Sequence, residues 1–259
     1  MAKRNIIEEA LSSSTNRRGL LKKLAVASAA VGASTLPVSA QTPSPADVIQ
    51  FALNLEYLEA EFYLKATYNA SLISFGVINS SQETGPTTGG KMVNFKGANF
   101  AFVASEIRRD EVEHVKFLRA ALGSAAVPKP AINLDALGYG YASVNDFLKL
   151  ARQFEDVGIS AYLGAATLIQ SKTYLDAAAR ILATEAQHSG SIRPFCVMYG
   201  VNSPAVDGKD VPPTAQTPFD VDKNGLSIPR TAQEVLKIVY GGGTTSGGFY
   251  PSGMNGTIK

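Results

Sequence analysis

The sequence predicts an all-α protein: a four-helix bundle with one long crossover connection and an irregular C-terminal extension. Three observations support this fold class. Apolar residues recur at steps of three and four along four segments, which is helical periodicity. The irregular stretches between the segments are long after the second segment and short after the third, as a bundle with one crossover requires. No part of the 259-residue sequence shows a competing strand pattern.

Composition indicates one sizeable core, because 45% of the 259 residues are hydrophobic. The first forty residues hold six Lys or Arg and two Glu; subtracting these from totals of 24 basic and 22 acidic residues leaves 18 and 20. With fewer basic than acidic residues after position 40, the chain lacks the excess positive charge that is typical of a nucleic-acid-binding domain. Cys196 is the sole cysteine of the sequence, so no intramolecular disulfide can form and stability must come from packing or metal.

Residues 1–40 predict a twin-arginine signal peptide. Arg17 and Arg18 precede a weakly apolar run, 24–33, and small residues end the segment at Ala40. An amphipathic helix and a membrane anchor are the alternatives, but the apolar run is too short for the about 30 Å of a bilayer core. We expect export of an already folded protein to the periplasm or another extracytoplasmic space.

The first two helices are predicted at residues 46–74 and 94–122. Pro45 suits a first helical turn, and the apolar residues that follow keep helical spacing. A stretch rich in Gly, Thr and Pro, 76–92, predicts a long loop between them. Gly123 suits the C-cap of the second helix.

The third and fourth helices follow a long crossover at residues 124–142. Ser143 begins an N-terminal capping sequence, and the third helix is predicted to run to about residue 170. A tight turn at 171–173 leads to the fourth helix, which extends to residue 198 unless Pro194 bends it or ends it early.

The tail, residues 201–259, is rich in Gly, Pro, Thr and Ser. It predicts a surface extension with one short helix at 231–240, opened by a capping box at Thr231. The predicted domains are therefore 1–40, 41–200 and 201–259.

Both histidines of the sequence end a Glu-x-x-His motif, Glu111 to His114 and Glu185 to His188. Residues i and i+3 share one face of a helix, so the carboxylate and the imidazole of each motif can hold the same ion. The repetition indicates a metal site shared by two helices.

A two-metal site also needs one Glu from each of the other two helices. Glu56 and Glu155 are selected because a Tyr follows each of them after seven positions, Tyr63 and Tyr162, two turns along nearly the same face. The other acidic residues of these helix faces are predicted to be surface groups or groups that support the ligands. They are Glu59, Glu61, Glu106 and Glu113.

The first and second helices form one antiparallel hairpin, and the third and fourth form another. In each hairpin the selected residues are equally far from the turn, so they should lie at the same height in the bundle. Glu56 and Glu111 have their midpoint at residues 83–84, within the first loop, and Glu155 and Glu185 have theirs at residue 170, beside the turn. Facing residues of an antiparallel hairpin lie equally far from its turn, so these groups converge. The predicted metal ligands are Glu56, Glu111, His114, Glu155, Glu185 and His188.

This ligand set suits two Fe ions, with two Mn ions as the alternative, because both metals accept oxygen and imidazole donors. Without metal, the cluster would bury like charges at high cost. Asp110 is either a partner for a ligating histidine or a solvated surface charge. Tyr63 and Tyr162 are either redox-active groups beside the metal or packed core residues.

These motifs resemble the ferritin-like superfamily of bacterioferritin, rubrerythrin and related di-iron carboxylate proteins. Residues 51–63 and 110–114, with 238–241 and 247–251 of the tail, more closely resemble exported ferritin-like proteins grouped with plant desiccation-related proteins and fungal Rds1-type stress proteins. The resemblance covers nearly all of residues 45–255. It implies a ferritin-like bundle and metal ligation by the same six residues.

Three functions are compatible with this prediction. The first is oxidoreductase chemistry with dioxygen or peroxide in stress defence. The second is a stress- or desiccation-protective structural or interaction protein with a non-catalytic metal site, which the long loop and tail suggest. The third is iron storage, which the loop and tail disfavour because a shell would have to accommodate them between subunits. We expect a monomer or small homo-oligomer, no nucleic-acid partner and no membrane span after cleavage.

Two further motifs have ordinary interpretations. Residues 220–225 imitate the start of a calcium loop, but Thr231 stands where a bidentate Glu is needed, which favours a turn. Cys196 is expected to be a packed apolar group.

Overall fold

The computed structural model describes residues 43–259, so the predicted signal peptide at 1–40 lies outside the described residues. This part of the chain forms five α-helices: α1 Pro45–Tyr68, α2 Ala101–Leu122, α3 Val144–Ala166, α4 Lys172–Met198 and α5 Ala232–Val239. Two short strands, β1 Thr87–Thr88 and β2 Ile132–Asn133, pair in parallel. Single 3₁₀ turns occupy Ser80–Gln82 and Gly123–Ala125. The predicted all-α class is confirmed.

The four long helices form the bundle. α1 packs along α2 and α3 along α4, while α1 against α3 and α2 against α4 make fewer contacts. Residues 123–143 provide the crossover between the two hairpins, which is the predicted topology. No helix among residues 43–259 is both long enough and apolar enough to cross a membrane.

Local capping sets the bounds of α1. The Ser44 hydroxyl accepts a hydrogen bond from the Asp47 N–H, and the Asp47 carboxylate accepts one from the Ser44 N–H, a capping box that starts the helix. Asn69 adopts the left-handed conformation, with φ 51°, and stops it. The predicted end at residue 74 is therefore wrong.

The predicted start of the second helix at residue 94 is also wrong, since α2 begins at Ala101. The Asn94 side chain accepts a hydrogen bond from the Lys96 N–H at 3.1 Å and holds a turn there. Phe95 still packs on Phe147, with ring centroids 5.1 Å apart. Phe95 is a loop residue that is partly buried against the core, so it continues the apolar spacing of a helix although it lies before α2.

Pro194 does not end α4, which continues to Met198. The neighbouring Arg193 donates to Asp156 of α3 at 2.6 Å and to the carbonyl oxygens of Val211 and Pro218 at 2.8 and 2.7 Å. These bonds anchor the last turns of α4, so the loss of one backbone donor is tolerated.

The C-terminal segment packs on α1 and α3. The Tyr250 hydroxyl donates to the Asn54 carbonyl at 2.7 Å, and Phe249 lies edge-on to Phe154 with centroids 5.0 Å apart. The Arg230 N–H donates to the Ser160 carbonyl at 3.0 Å. These contacts join residues before and after position 200 in one core. They do not test the predicted domain boundary at residue 200, which stays a prediction.

Candidate metal centre

Six side chains that the sequence selects as ligands come together inside the bundle. They form two groups, in each of which one potential ligand atom per residue lies within 4.8 Å of the others. The groups are Glu56, Glu111, His114, Glu185 and Glu111, Glu155, Glu185, His188. Glu111 and Glu185 belong to both, so the two candidate positions share a pair of carboxylates. All four carboxylates are fully buried, and both histidines are nearly so.

Each histidine turns Nδ1 toward the carboxylates. Nδ1 of His114 lies 3.1 Å from Oε2 of Glu56, 3.1 Å from Oε1 of Glu185 and 3.5 Å from Oε2 of Glu111. The i, i+3 spacing of Glu111 and His114 on α2 places both on the face that meets α1 and α4.

His188 repeats this arrangement on the other side of the centre. Its Nδ1 lies 3.0 Å from Oε1 of Glu111 and 3.3 Å from Oε2 of Glu155. The two imidazole rings face each other with centroids 5.9 Å apart. The ligand atoms therefore surround one small volume at a single level of the bundle.

Several of these buried atoms have no hydrogen-bond partner in the described part of the chain. They are both carboxylate oxygens of Glu111 and of Glu185, Oε2 of Glu155 and Nδ1 of His188. Their close approaches lack hydrogen-bond geometry, and orphaned buried polar atoms are costly. Cations would satisfy them. Four ionised carboxylates balance two divalent ions, and the mixed oxygen and imidazole donors suit iron or manganese, so the residues fit a two-metal centre.

The pKa values of the buried carboxyl groups indicate which of them hold protons that a cation would replace. Burial raises the pKa of Glu56 from its ordinary 4.5 to about 7, with His114 opposing the rise and Glu111 adding to it. Burial and the neighbouring Glu111 raise the pKa of Glu185 well above its ordinary value. Burial also favours a raised pKa for Glu111, but His114 and His188 outweigh it and the pKa is lowered.

Both imidazoles are held in the charged form. Burial alone would lower the pKa of His114, but Glu56 and Glu111 outweigh burial and raise it. Burial opposes the charged form of His188 too, and Glu155 leads the groups that raise its pKa. Protons therefore supply part of the positive charge that the carboxylates require, and a metal ion must displace them.

Two tyrosines hold the outer carboxylates crosswise. The Tyr162 hydroxyl of α3 donates to Oε1 of Glu56 in α1 at 2.5 Å, and the Tyr63 hydroxyl of α1 donates to Oε1 of Glu155 in α3. The sequence placed each Tyr on the face of the Glu in its own helix. In the structure each Tyr instead bonds the Glu of the other helix.

Asp110 contacts the second histidine. Its Oδ2 lies 3.3 Å from Nε2 of His188, and this hydrogen bond lowers the pKa of the Asp110 carboxyl. Such a bond orients an imidazole and leaves Nδ1 facing the centre. The partner interpretation therefore describes Asp110 better than that of a free surface charge.

Comparison with known proteins identifies the family to which this chain belongs. The sequence profile of the ferritin-like domain family matches residues 44–196, which include all six selected residues. The chain belongs to the ferritin-like domain family. It is also 26% identical over 269 residues to the ferritin-like catalase Nec2 of Nesocodon mauritianus, with 82% of this chain and 84% of the relative covered.

A seventh carboxylate of this ferritin-like domain lies beside the centre. Glu59 is only 4% exposed, and burial together with Glu185 and Glu111 raises its pKa well above the ordinary value. Gly158 of α3 makes room for it, because a Cβ there would lie 3.1 Å from Oε1 of Glu59. The i, i+3 spacing from Glu56 is the signal that places Glu59 on the same face.

The remaining Glu residues lie away from the centre. Glu61 is buried and accepts a hydrogen bond from the Leu72 N–H at 3.2 Å. Glu106 and Glu113 are exposed, and each pairs with a basic residue on its own helix. Glu106 and Glu113 are therefore surface groups, as predicted, whereas the prediction for Glu61 is wrong, because it is buried against the loop after α1 rather than exposed or beside the ligands.

A second acidic cluster lies where the C-terminal segment meets the bundle. It consists of Asp156 of α3 and of Asp210 and Asp220 of the tail. Arg152 donates to both oxygens of Asp210 at 2.7 Å, and Arg193 donates to Asp156. These arginines supply positive charge to Asp156 and Asp210, and the ion pair between Arg152 and Asp210 joins the tail to the bundle.

The calcium-like segment forms a turn. Oδ1 of Asp222 accepts hydrogen bonds from the N–H groups of Asn224 and Leu226 at 2.8 and 3.0 Å. Cys196 is buried at 1% exposure, close to the Leu148 carbonyl.

Proposed function

We propose that this ferritin-like protein holds two iron or two manganese ions and uses them to disproportionate hydrogen peroxide. The observation that carries the proposal is the buried set of four carboxylates and two imidazoles, in which six inward atoms lack hydrogen-bond partners among residues 43–259. Catalase activity in the name of the Nesocodon relative supports peroxide, rather than dioxygen, as the substrate. In the balanced reaction, one peroxide molecule is oxidised to dioxygen while a second is reduced to two molecules of water.

We propose a role for each ligand on the basis of the two residue groups. Glu56 and His114 would hold one ion, and Glu155 and His188 would hold the other. The carboxylates common to both groups, from α2 and α4, would bridge the two positions. When bound, the ions supply the redox changes that no side chain of this cluster can supply.

Proton movement is the task that the protein itself must perform. Oxidation of peroxide releases two protons and reduction consumes two, so a nearby group that holds and returns a proton assists turnover. Glu59 is placed for this task. It lies outside both ligand groups but within the buried space next to Glu185 and Gly158.

Metal analysis combined with oxygen release tests the function. Protein expressed with iron or manganese should contain about two ions per chain and should release dioxygen from peroxide. The double variant Glu111→Gln, His114→Gln should lose both properties. Glu106→Gln is the matched control, because Glu106 is exposed on the same helix and does not line the groove beside His114. A wild-type protein that keeps its helical circular dichroism but binds neither metal would contradict the proposal.

We further propose that the chain acts outside the cytoplasm in stress defence, as one of the exported ferritin-like proteins related to desiccation-related and Rds1-type proteins. The support is the twin-arginine motif at Arg17 and Arg18 and the resemblance of residues 51–63 and 247–251. Cell fractionation tests the export. The wild-type chain should accumulate in the extracytoplasmic fraction in a shortened form, and the Arg17→Lys, Arg18→Lys variant should stay uncleaved in the cytoplasm. Cleavage that does not depend on the arginine pair would contradict this route.

A further inference from the structure

A groove between α2 and α4 leads from the protein surface to the centre. Its volume is about 650 Å³, far above the roughly 30 Å³ that one water molecule occupies in the liquid. His114 lies at its inner end with a side chain 10% exposed, whereas the side chains of all four selected carboxylates are fully buried. The other lining residues are Glu113, Lys116, Phe117, Arg180, Ile181, Ala183 and Thr184.

The two histidines differ in the hydrogen-bond partner of Nε2, the ring nitrogen that faces away from the carboxylates. Nε2 of His188 is paired with Asp110, which directly precedes Glu111 in the first Glu-x-x-His motif. The motif on α2 therefore orients the histidine of the motif on α4. If the centre were symmetric, the residue before Glu185 would orient His114 in the same way.

That residue is Thr184, and it does not take this role. Its hydroxyl donates to the carbonyl of Arg180, one turn earlier in α4, at 3.3 Å. In residues 43–259, the hydrogen bond of the His114 ring is made by Nδ1, to Glu56, and none reaches Nε2. With Nδ1 facing the carboxylates, Nε2 is the nitrogen turned toward the groove and can donate to an oxygen that arrives there.

Three charged side chains line the groove besides His114. Lys116 is paired with Glu113 at 2.8 Å, while the guanidinium of Arg180 lies over the Phe117 ring at 5.8 Å. Arg180 and Asp176 are 3.9 Å apart and strongly exposed, so this pair is weak. Apart from His114, the charged lining residues are Glu113, Lys116 and Arg180, which together carry one net positive charge. Hydrogen peroxide is small and uncharged, so these charges do not oppose its entry.

We infer that this groove is the entrance for hydrogen peroxide and that Nε2 of His114 is the first group of the centre that peroxide meets. The entrance rests on the proposed function, because it has a use only where the centre takes peroxide. Phe117 and Arg180, both exposed, form its rim and Thr184 is partly buried, whereas Nε2 of His188 is covered by Asp110.

Two tryptophan variants on one helix test the entrance. Ala183→Trp fills the groove, whereas Ala186→Trp places the same ring on another face of α4, where Ala186 lines a separate cavity with Asp156 and Ile159. In protein loaded with Mn(II), paramagnetic relaxation of water protons reports how freely small molecules reach the ions. Ala183→Trp should lower this relaxation and reduce kcat/KM for peroxide by about fivefold or more, as expected where access gates turnover. Ala186→Trp should change neither.

Further variants keep the test decisive. Phe117→Ala widens the rim and should leave both quantities at or above their wild-type values. Thr184→Leu narrows the same groove with less bulk and replaces Ala183→Trp if that variant loses its helical circular dichroism. Equal relaxation and equal kcat/KM in the groove-filling and Ala186→Trp proteins would overturn the entrance. A wild-type chain that binds no Mn(II) would instead overturn the proposed function.

Discussion

Tyr162 of α3 donates its hydroxyl hydrogen to Oε1 of Glu56 in α1 at 2.5 Å, across 106 positions of sequence. Tyr63 of α1 makes the corresponding bond to Glu155 of α3. Both tyrosines and both carboxylates are buried, so water does not compete for these bonds. The crossed pair links α1 to α3 at the level of the centre and holds the two outer carboxylates in place.

Tyr162→Phe should weaken metal binding. The hydroxyl lowers the pKa of Glu56, so its removal raises that pKa and the metal must displace a more tightly held proton. A hydrogen bond to a charged group is worth about 1.5–3 kcal/mol, which predicts Mn(II) affinity lower by about tenfold or more at pH 7. Calorimetric titration measures it. Tyr141→Phe is the matched control, because the Tyr141 hydroxyl is buried and has no hydrogen-bond partner among residues 43–259. Equal losses in both variants would contradict the role of Tyr162.

Glu56→Gln and Glu155→Gln should abolish most of the thermal stabilisation by metal. The folded protein binds metal and the unfolded chain scarcely does, so metal at a hundredfold excess over Kd stabilises by about 2.7 kcal/mol. Glu59→Gln should keep this gain, because Glu59 belongs to neither ligand group, yet it should slow peroxide turnover. Thermal melts of the three variants with and without Mn(II) give the order. A larger loss for Glu59→Gln than for Glu56→Gln would move the α1 ligand to Glu59.

Metal should reverse the effect of pH on stability. In chelator, the folded state holds a proton on Glu56 with a pKa of about 7, against an ordinary 4.5, so that contribution to stability is complete below pH 4.5 and is lost as pH rises through about 7. The raised pKa values of Glu59 and Glu185 act in the same direction at higher pH.

With Mn(II) present, the same protons oppose binding, so affinity should increase from about pH 5 to 7, by up to about tenfold per pH unit for each proton displaced. The melting temperature should therefore fall with pH in chelator and rise with pH in Mn(II). Parallel curves in the two conditions would show that these carboxyls do not bind the ion.

Asp110→Asn should lower metal affinity by about tenfold to hundredfold, the range typical for partners that orient a ligating histidine. The Asp110 carboxylate accepts from Nε2 of His188, and an amide holds that ring less well. Glu113→Gln serves as the control, because it removes an exposed carboxylate from the same helix. A proton-relaxation titration with Mn(II) gives both affinities, and no difference between the variants would leave Asp110 without an orienting role.

Helix ends show where sequence patterns lose accuracy. Apolar spacing predicted the four long helices and their order, but it extended the first beyond Asn69 and began the second before Ala101. In both places a loop residue packs an apolar side chain on the core: Leu72 is fully buried after α1, and Phe95 is partly buried against Phe147 before α2. The spacing of apolar residues reports which side chains pack on the core. Such packing continues in loop residues beyond the last helical hydrogen bond, so the spacing alone does not locate a helix end.

The sequence by itself determined which residues point the same way along each helix. Because residues three or four apart share a face, the two Glu-x-x-His motifs and the seven-residue spacing from Glu56 to Tyr63 could be recognised without a structure. Equal distances from the two turns then placed Glu56 and Glu155 at the level of both motifs. All of this depends on the repeat of a single helix and the length of its connections.

Only the tertiary structure decided which helix each side chain meets. Tyr162 bonds Glu56 rather than Glu155, Asp110 bonds the histidine of the other motif, and Glu59 is buried because Gly158 of α3 leaves space for it. The physical reason is that helical periodicity defines directions about one axis, while the rotation and offset between two axes come from the packing of the whole core. The same packing leaves α2 and α4 far enough apart for the groove that reaches His114.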